Sequence, residues 1–87
     1  MPEEYMEGLV TLSSAPPGSI VRVVRVDVRG RGPYRRLLEL GVYPGATLRV
    51  VSNSLGPVIV EKNGARLAIG RRHASRILVE VLGYWAK

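Results

Sequence analysis

The sequence predicts a small, mainly β domain, a partly open barrel of five short antiparallel strands with one short inserted helix. Three observations carry this. Apolar and polar residues alternate with a period of two in several short runs, as they do in a sheet with one buried and one wet face. Turn-forming dipeptides separate those runs at nearly even spacing. The chain has 87 residues, enough for one domain but too few for a second or for a dinucleotide-binding unit of normal size.

Residues 1–8 read as a flexible, acidic lead-in that lacks the apolar centre of a signal peptide. Leu9, Val10 and Leu12 form an apolar cluster, and residues 13–18 (Ser-Ser-Ala-Pro-Pro-Gly) break the chain. The first strand is predicted over Ile20–Arg29, with Val24, Val26 and Val28 on one face and Arg25, Asp27 and Arg29 on the other. Gly30, Arg31 and Gly32 form a basic loop. Pro33 suits a first helical position, where a missing N–H costs nothing. Tyr34, Leu37 and Leu38 then share one side of a short helix and are expected to pack on the sheet. Eight residues hold no helix alone in water, so this packing is required.

Gly41 supplies a left-handed helix end. Val42-Tyr43-Pro44-Gly45 reads as a type II turn, with Pro44 presetting one central dihedral and Gly45 taking the positive φ of the next. The second strand runs from Ala46 to about Ser52, with Leu48 and Val50 inward. The third covers about Pro57–Lys62. Asn63-Gly64 is a strong hairpin signal and leads into a fourth strand, Ala65–Ile69. Residues 71–75 fit a single helical turn. The last strand is Ile77–Leu82, and residues 83–87 are left as a tail that carries the only Trp. The domain is thus expected over residues 9–82.

Composition narrows the function. Thirteen basic residues face seven acidic ones, a net charge of +6, and eleven of the thirteen are Arg. That balance favours acidic partners such as nucleic acid, anionic lipid or an acidic protein surface. There is no cysteine, which excludes disulfides, thiolate metal sites and cysteine nucleophiles and makes the cytoplasm the expected compartment. No apolar run approaches the ~20 residues of a membrane helix, so membrane insertion is not expected.

Catalytic candidates are sparse. His73 is the only histidine; it has no second ligand at metal-site spacing, and Arg71, Arg72 and Arg76 around it repel cations. The serines have no base and carboxylate arranged by sequence to activate them. Gly30-Arg31-Gly32-Pro33 precedes a helix but fits neither the phosphate loop nor the dinucleotide fingerprint. No catalytic residue, metal ligand or cofactor-binding residue is therefore assigned, and no enzyme activity is expected. Arg22, Arg25, Arg29, Arg31, Arg35 and Arg36 form the densest basic cluster. A nucleic-acid-binding barrel is thus an alternative, though only Tyr34 and Tyr43 lie near to stack on bases.

Residues 34–45, Tyr-Arg-Arg-Leu-Leu-Glu-Leu-Gly-Val-Tyr-Pro-Gly, resemble the signature of the FeoA family, the ferrous iron transport protein A domain. That family has an Arg/Lys-Leu-x-x-x-Gly helix end followed by an apolar-x-Pro-Gly turn. Residues 12–20, the run Leu55-Gly56-Pro57-Val58-Ile59-Val60, and Leu67–Arg71 with Ala74, Ile77 and Val79 resemble its other segments in order. The resemblance spans about residues 9–82.

It implies an SH3-like barrel and a non-enzymatic role in ferrous iron uptake through binding a FeoB-type membrane transporter with a cytosolic GTPase domain. The protein would then sit in the cytoplasm, at the inner face of the membrane through its partner. No cofactor is required by this reading; weak association with ferrous iron or zinc is implied by the resemblance alone. A metal-responsive regulatory module is a further alternative, since related domains occur in metal-dependent repressors. Members often carry acidic residues in the turn before the last strand. This chain has Arg71, Arg72 and His73 there, so no metal role is carried over to that turn. Arg35, Arg36, Val42, Tyr43 and Arg49 are the expected partner-binding residues. Leu37, Gly41, Pro44, Gly45, Asn63 and Gly64 are expected to hold the structural motif.

Overall fold

In a computed structural model, which describes residues 8–85, six strands lie in one antiparallel sheet. They are β1 (Leu9–Thr11), β2 (Ser19–Val26), β3 (Thr47–Ser52), β4 (Val58–Lys62), β5 (Ala65–Ile69) and β6 (Ile77–Tyr84). A 3-10 turn, Leu12–Ser14, follows β1; helix α1 (Arg31–Glu39) joins β2 to β3; and the single turn α2 (Arg71–Ala74) precedes β6. The strand order is β1-β6-β2-β3-β4-β5. The sheet curls so that inward side chains from β2 through β6 meet in one core with Leu12, Ala15, Leu37, Val42 and Ala74. No helix of the described residues is long and apolar enough to cross a membrane.

The sixth strand is β1, which the sequence reading left as an apolar cluster. Leu9, Val10 and Thr11 pair with Glu80, Val79 and Leu78. Three residues are too few to display a period of two. The last strand is also longer than expected. It runs to Tyr84, and the Trp85 N–H donates to the Gly18 carbonyl at 2.9 Å, so the first part of the expected tail belongs to the sheet. Residues 1–7 of the expected lead-in, and 86–87 of the tail, lie outside the described residues.

The first long strand corrects a second expectation. Its buried residues are Ser19, Val21 and Val23, whereas Val24 is 42% exposed. Pairing with β6 jumps between Val23 and Arg25: Val23 faces Val79 and Arg25 faces Leu78. Val24 is thus the extra residue of a β-bulge, which reverses the alternation. Beyond it Val26 and Val28 return to the core side. The even-numbered face predicted from Val24 onward is correct only past the bulge, and the strand ends at Val26 rather than Arg29.

The turns follow the predicted chemistry. The Ala46 N–H donates to the Tyr43 carbonyl at 2.9 Å, and Gly45 has φ +97°. Pro44 and Gly45 are thus the two central residues of a type II turn spanning residues 43–46. The same turn is tied to β2, since the Gly45 N–H donates to the Val23 carbonyl and the Val23 N–H to the Ala46 carbonyl, at 2.7 and 2.8 Å. Asn63 (φ 52°) and Gly64 (φ 85°) are both left-handed, as a tight hairpin between β4 and β5 demands. Lys62 pairs with Ala65 across it.

Candidate protein-binding surface

Helix α1 starts at Arg31, two residues before Pro33, and its N-cap Gly30 has φ 94° with no side-chain cap. The Tyr34 N–H closes the first turn on the Gly30 carbonyl at 3.2 Å. Pro33 therefore occupies the first turn, where its missing N–H leaves no bond unmade.

The end of the helix is more tightly determined. The Val42 N–H donates to the Leu37 carbonyl at 2.8 Å and the Gly41 N–H to the Leu38 carbonyl at 3.1 Å. These two bonds, with Gly41 at φ 95°, form a Schellman motif, in which an apolar residue after the glycine meets the third-from-last helical residue. Here those residues are Val42 and Leu37, both in the core.

This geometry corrects one expected contact residue. Val42 is 0% exposed, because the Schellman closure turns it inward, so it does not face a partner. The packing side of the helix also differs from expectation. Leu37 alone is buried. Tyr34, Leu38, Leu40 and Tyr43 are 37%, 41%, 40% and 40% exposed. The inner face of the sheet is already filled by strand side chains, and α1 plugs it with one residue. The result is four large apolar or aromatic side chains on one helix and its following turn, with Tyr34 and Leu38 at i, i+4 on a shared strip.

Arginines rim this strip. Arg35 is exposed and lies 3.7 Å from Glu39, one turn on, and Arg36 is exposed. A small hollow separates the helix from the end of β5, lined by Pro33, Arg36, Leu37 and Leu40 on one side and Ala68, Ile69, Gly70 and His73 on the other. Tyr43 carries a cation on its ring: the Lys62 ammonium lies 4.8 Å from the ring centroid and 3.5 Å from the phenolic oxygen. A Cβ on Gly41 would meet the Lys62 stem at 2.9 Å, so the lysine crosses directly over the helix end. Lys62 had no role in the sequence reading, because its contact partners lie nineteen and more residues away.

Arg49 is held apart from this group. It sits on β3, with its guanidinium 5.2 Å from the Trp85 ring centroid and 3.7 Å from Glu61. It lines a different hollow with Thr47, Glu61 and Lys62. Of the five expected contact residues, Arg35, Arg36 and Tyr43 come together around α1, Arg49 lies on the sheet, and Val42 is inside.

No three His, Asp or Glu side chains come together as a metal site among the described residues. His73 shares its surroundings with Arg29, Arg72 and Arg76, a cationic lining that does not fit a metal ion. What α1 and its turn do present is an apolar strip with a basic rim, the composition of a protein contact.

Comparison with known proteins agrees with this fold. Residues 10–81 match the FeoA domain model. A Methanocaldococcus jannaschii protein named as an Fe(2+) transport protein A is 40% identical over 73 residues, covering 84% of this chain and 88% of its own length. The crystal structure of an iron uptake regulatory protein, FeoA, superposes with a TM-score of 0.76 at 36% identity, covering 85% of this chain and 99% of that one. A Stenotrophomonas maltophilia FeoA solved with zinc, described as a prokaryotic SH3 domain protein for which a transport-activating role is suggested, gives 0.70 at 30% identity, covering 82% of this chain and 89% of its own. The helix with its Gly41 end, the Pro44-Gly45 turn and the curled six-stranded sheet are thus the framework of an SH3-like domain, and the chain belongs to the FeoA family of ferrous iron transport accessory proteins.

Proposed function

We propose that this chain acts by binding the cytosolic part of a FeoB-type ferrous iron transporter through α1 and the turn that follows it, without catalysing a reaction and without a cofactor of its own. The observation that carries this reading is the exposed set Tyr34, Leu38, Leu40 and Tyr43 on one short stretch of chain. Tyr34 and Leu38 share one strip of α1, Leu40 lies on the other flank of buried Leu37, and exposed aromatic anchors with arginines beside them are enriched at protein contacts. Arg35 and Arg36 steer the encounter toward an acidic surface, an effect that fades with salt. Ferrous iron is then the transporter's cargo. The protein itself works in the cytoplasm, drawn to the inner face of the membrane by its partner.

The test is a titration of the full chain against the cytosolic domain of the cognate transporter at low salt. Leu38→Ser combined with Tyr34→Ala should weaken binding by about tenfold or more, as loss of a central apolar anchor does. Val24→Ser, an equally exposed valine on the bulge of β2, should leave binding unchanged. Absence of binding at low salt, or equal losses in both variants, refutes the assignment.

A further inference from the structure

Three arginines from two separate segments meet at one place. Arg29, from the loop after β2, and Arg72, His73 and Arg76, from α2 and the residues after it, line a single hollow of about 320 Å³. The two segments are fastened together by backbone: the Asp27 N–H donates to the Arg76 carbonyl at 2.8 Å, and the Arg76 N–H to the His73 carbonyl at 2.9 Å. Buried Ala74 and Ile77 anchor the same stretch in the core. The side chains are therefore carried on fixed backbone rather than on a free loop.

These charges are not neutralised by ion pairs among the described residues. Arg22, Arg35 and Arg49 pair with Glu80, Glu39 and Glu61. Among the described residues, no ion pair joins Arg29, Arg72 or Arg76 to a carboxylate. The adjoining hollow holds Arg25, Asp27 and Arg76, so four guanidinium groups lie around the two hollows against one carboxylate. Holding like charges together without a counterion costs free energy, which an anion recovers. One planar carboxylate is satisfied by a single guanidinium fork. Several forks facing one concave space match a group with three or more charged oxygens. No Phe, Tyr or Trp lines the hollow, so it lacks the broad stacking surface that a single-stranded nucleic acid uses.

We propose that the hollow between the β2–α1 loop and α2, lined by Arg29, Arg72, His73 and Arg76, binds a phosphoryl group. The group comes either from a soluble phosphate ester or from a lipid headgroup. His73 also lines the hollow beside Arg36 and Leu40, so the anion site adjoins one flank of α1, while Tyr34 and Leu38 line neither hollow.

The experiment titrates the full chain with tripolyphosphate at about 50 mM salt, where charge contacts are weakly screened. A parallel arm measures sedimentation with vesicles of phosphatidylcholine alone and with added phosphatidic acid, whose phosphomonoester has three terminal oxygens. Two variants of equal net charge are compared: R72Q/R76Q in the hollow and R35Q/R66Q on α1 and β5. Circular dichroism checks that both are folded. The expected result is saturable binding that R72Q/R76Q weakens by about tenfold and R35Q/R66Q by less than about twofold, as charge-assisted contacts at one site require. Binding of tripolyphosphate without vesicle sedimentation identifies a soluble ligand. Sedimentation with phosphatidic acid vesicles that tripolyphosphate competes away identifies a headgroup. Equal weakening in both variants, binding that never saturates, or binding to neither probe overturns the proposal. So does tighter binding of a single-stranded oligonucleotide that both variants weaken alike, since that describes diffuse polyanion attraction.

Discussion

Replacing Arg71 by Met should destabilise the fold more than any other surface arginine substitution. The Arg71 guanidinium donates from Nη1 to the carbonyls of Ser54 and Gly56 at 2.9 and 3.0 Å, and from Nη2 to the Ser13 carbonyl at 2.8 Å. It thereby ties α2 to the β3–β4 loop and to the 3-10 turn. The Met stem keeps the packing and removes the donors. Ser54 and Gly56 are exposed, so water replaces those bonds at about 0.5 kcal/mol each, while the half-buried Ser13 carbonyl loses a charged donor at about 1–1.5 kcal/mol. The sum is about 2 kcal/mol, or a fall in Tm of about 8–16 °C for a domain of this size. Urea and thermal unfolding followed by far-UV circular dichroism measure both, with an unchanged urea slope showing that only stability has moved. Asn53 adds a second check, because its amide donates to the same Ser13 carbonyl at 3.0 Å and to Ala15 at 2.7 Å. Asn53→Ala and Arg71→Met should therefore couple by about 0.5–1 kcal/mol in a double-mutant cycle. A loss below about 0.5 kcal/mol for Arg71→Met, equal to that expected for an unbonded surface residue, would refute the role given to this side chain.

Three further outcomes follow from the same structure. Val60→Ala removes a fully buried side chain at the centre of β4 and should cost about 2 kcal/mol by the same unfolding assay. Gly45→Ala meets no neighbouring atom within 4 Å, but it forces φ +97° on a residue with a Cβ; the expected loss is about 1–2 kcal/mol with an unchanged fold, read by denaturation and amide NMR shifts. Arg49→Ala removes the cation above Trp85 at about 0.5 kcal/mol, and because Trp85 is the only tryptophan its fluorescence should change while that of Arg66→Ala does not.

Much of this architecture is legible in the residues. β3 and the core of β6 follow from alternation, as in Thr47-Leu48-Arg49-Val50, where Leu48 and Val50 are fully buried, while β4 and β5 follow from the Asn63-Gly64 turn between them. The turns at Pro44-Gly45 and Asn63-Gly64 follow from the dihedrals those residues accept. What escaped has physical causes. The bulge is hidden because Val23 and Val24 are both valines, and only pairing with Leu78 and Val79 shows which is the extra residue. Helical periodicity groups Tyr34, Leu37 and Leu38, but it carries no information on how much of the sheet is still open to receive them. Val42 looked free because its burial depends on a hydrogen bond to Leu37 across the helix end. Arg71 and Asn53 bond to backbone carbonyls, which leave no mark in the residue types of the segments they join. The basic hollow is assembled from residues 29 and 72–76, more than forty positions apart, so a linear count found the arginines of β2 and α1 and passed over their grouping with α2.

The connection between α1 and the sheet has a consequence for how a message can pass through this domain. The helix ends in a closed Schellman turn, Leu37 and Val42 are set in the core, and Gly45 and Ala46 of the following turn are bonded to β2. An element fastened at so many points has no hinge. A docking protein therefore meets its target already in position and gives up little freedom in fitting to it. On the binding role proposed above, this surface is then either occupied or vacant, and any graded response arises in the molecule bound to it.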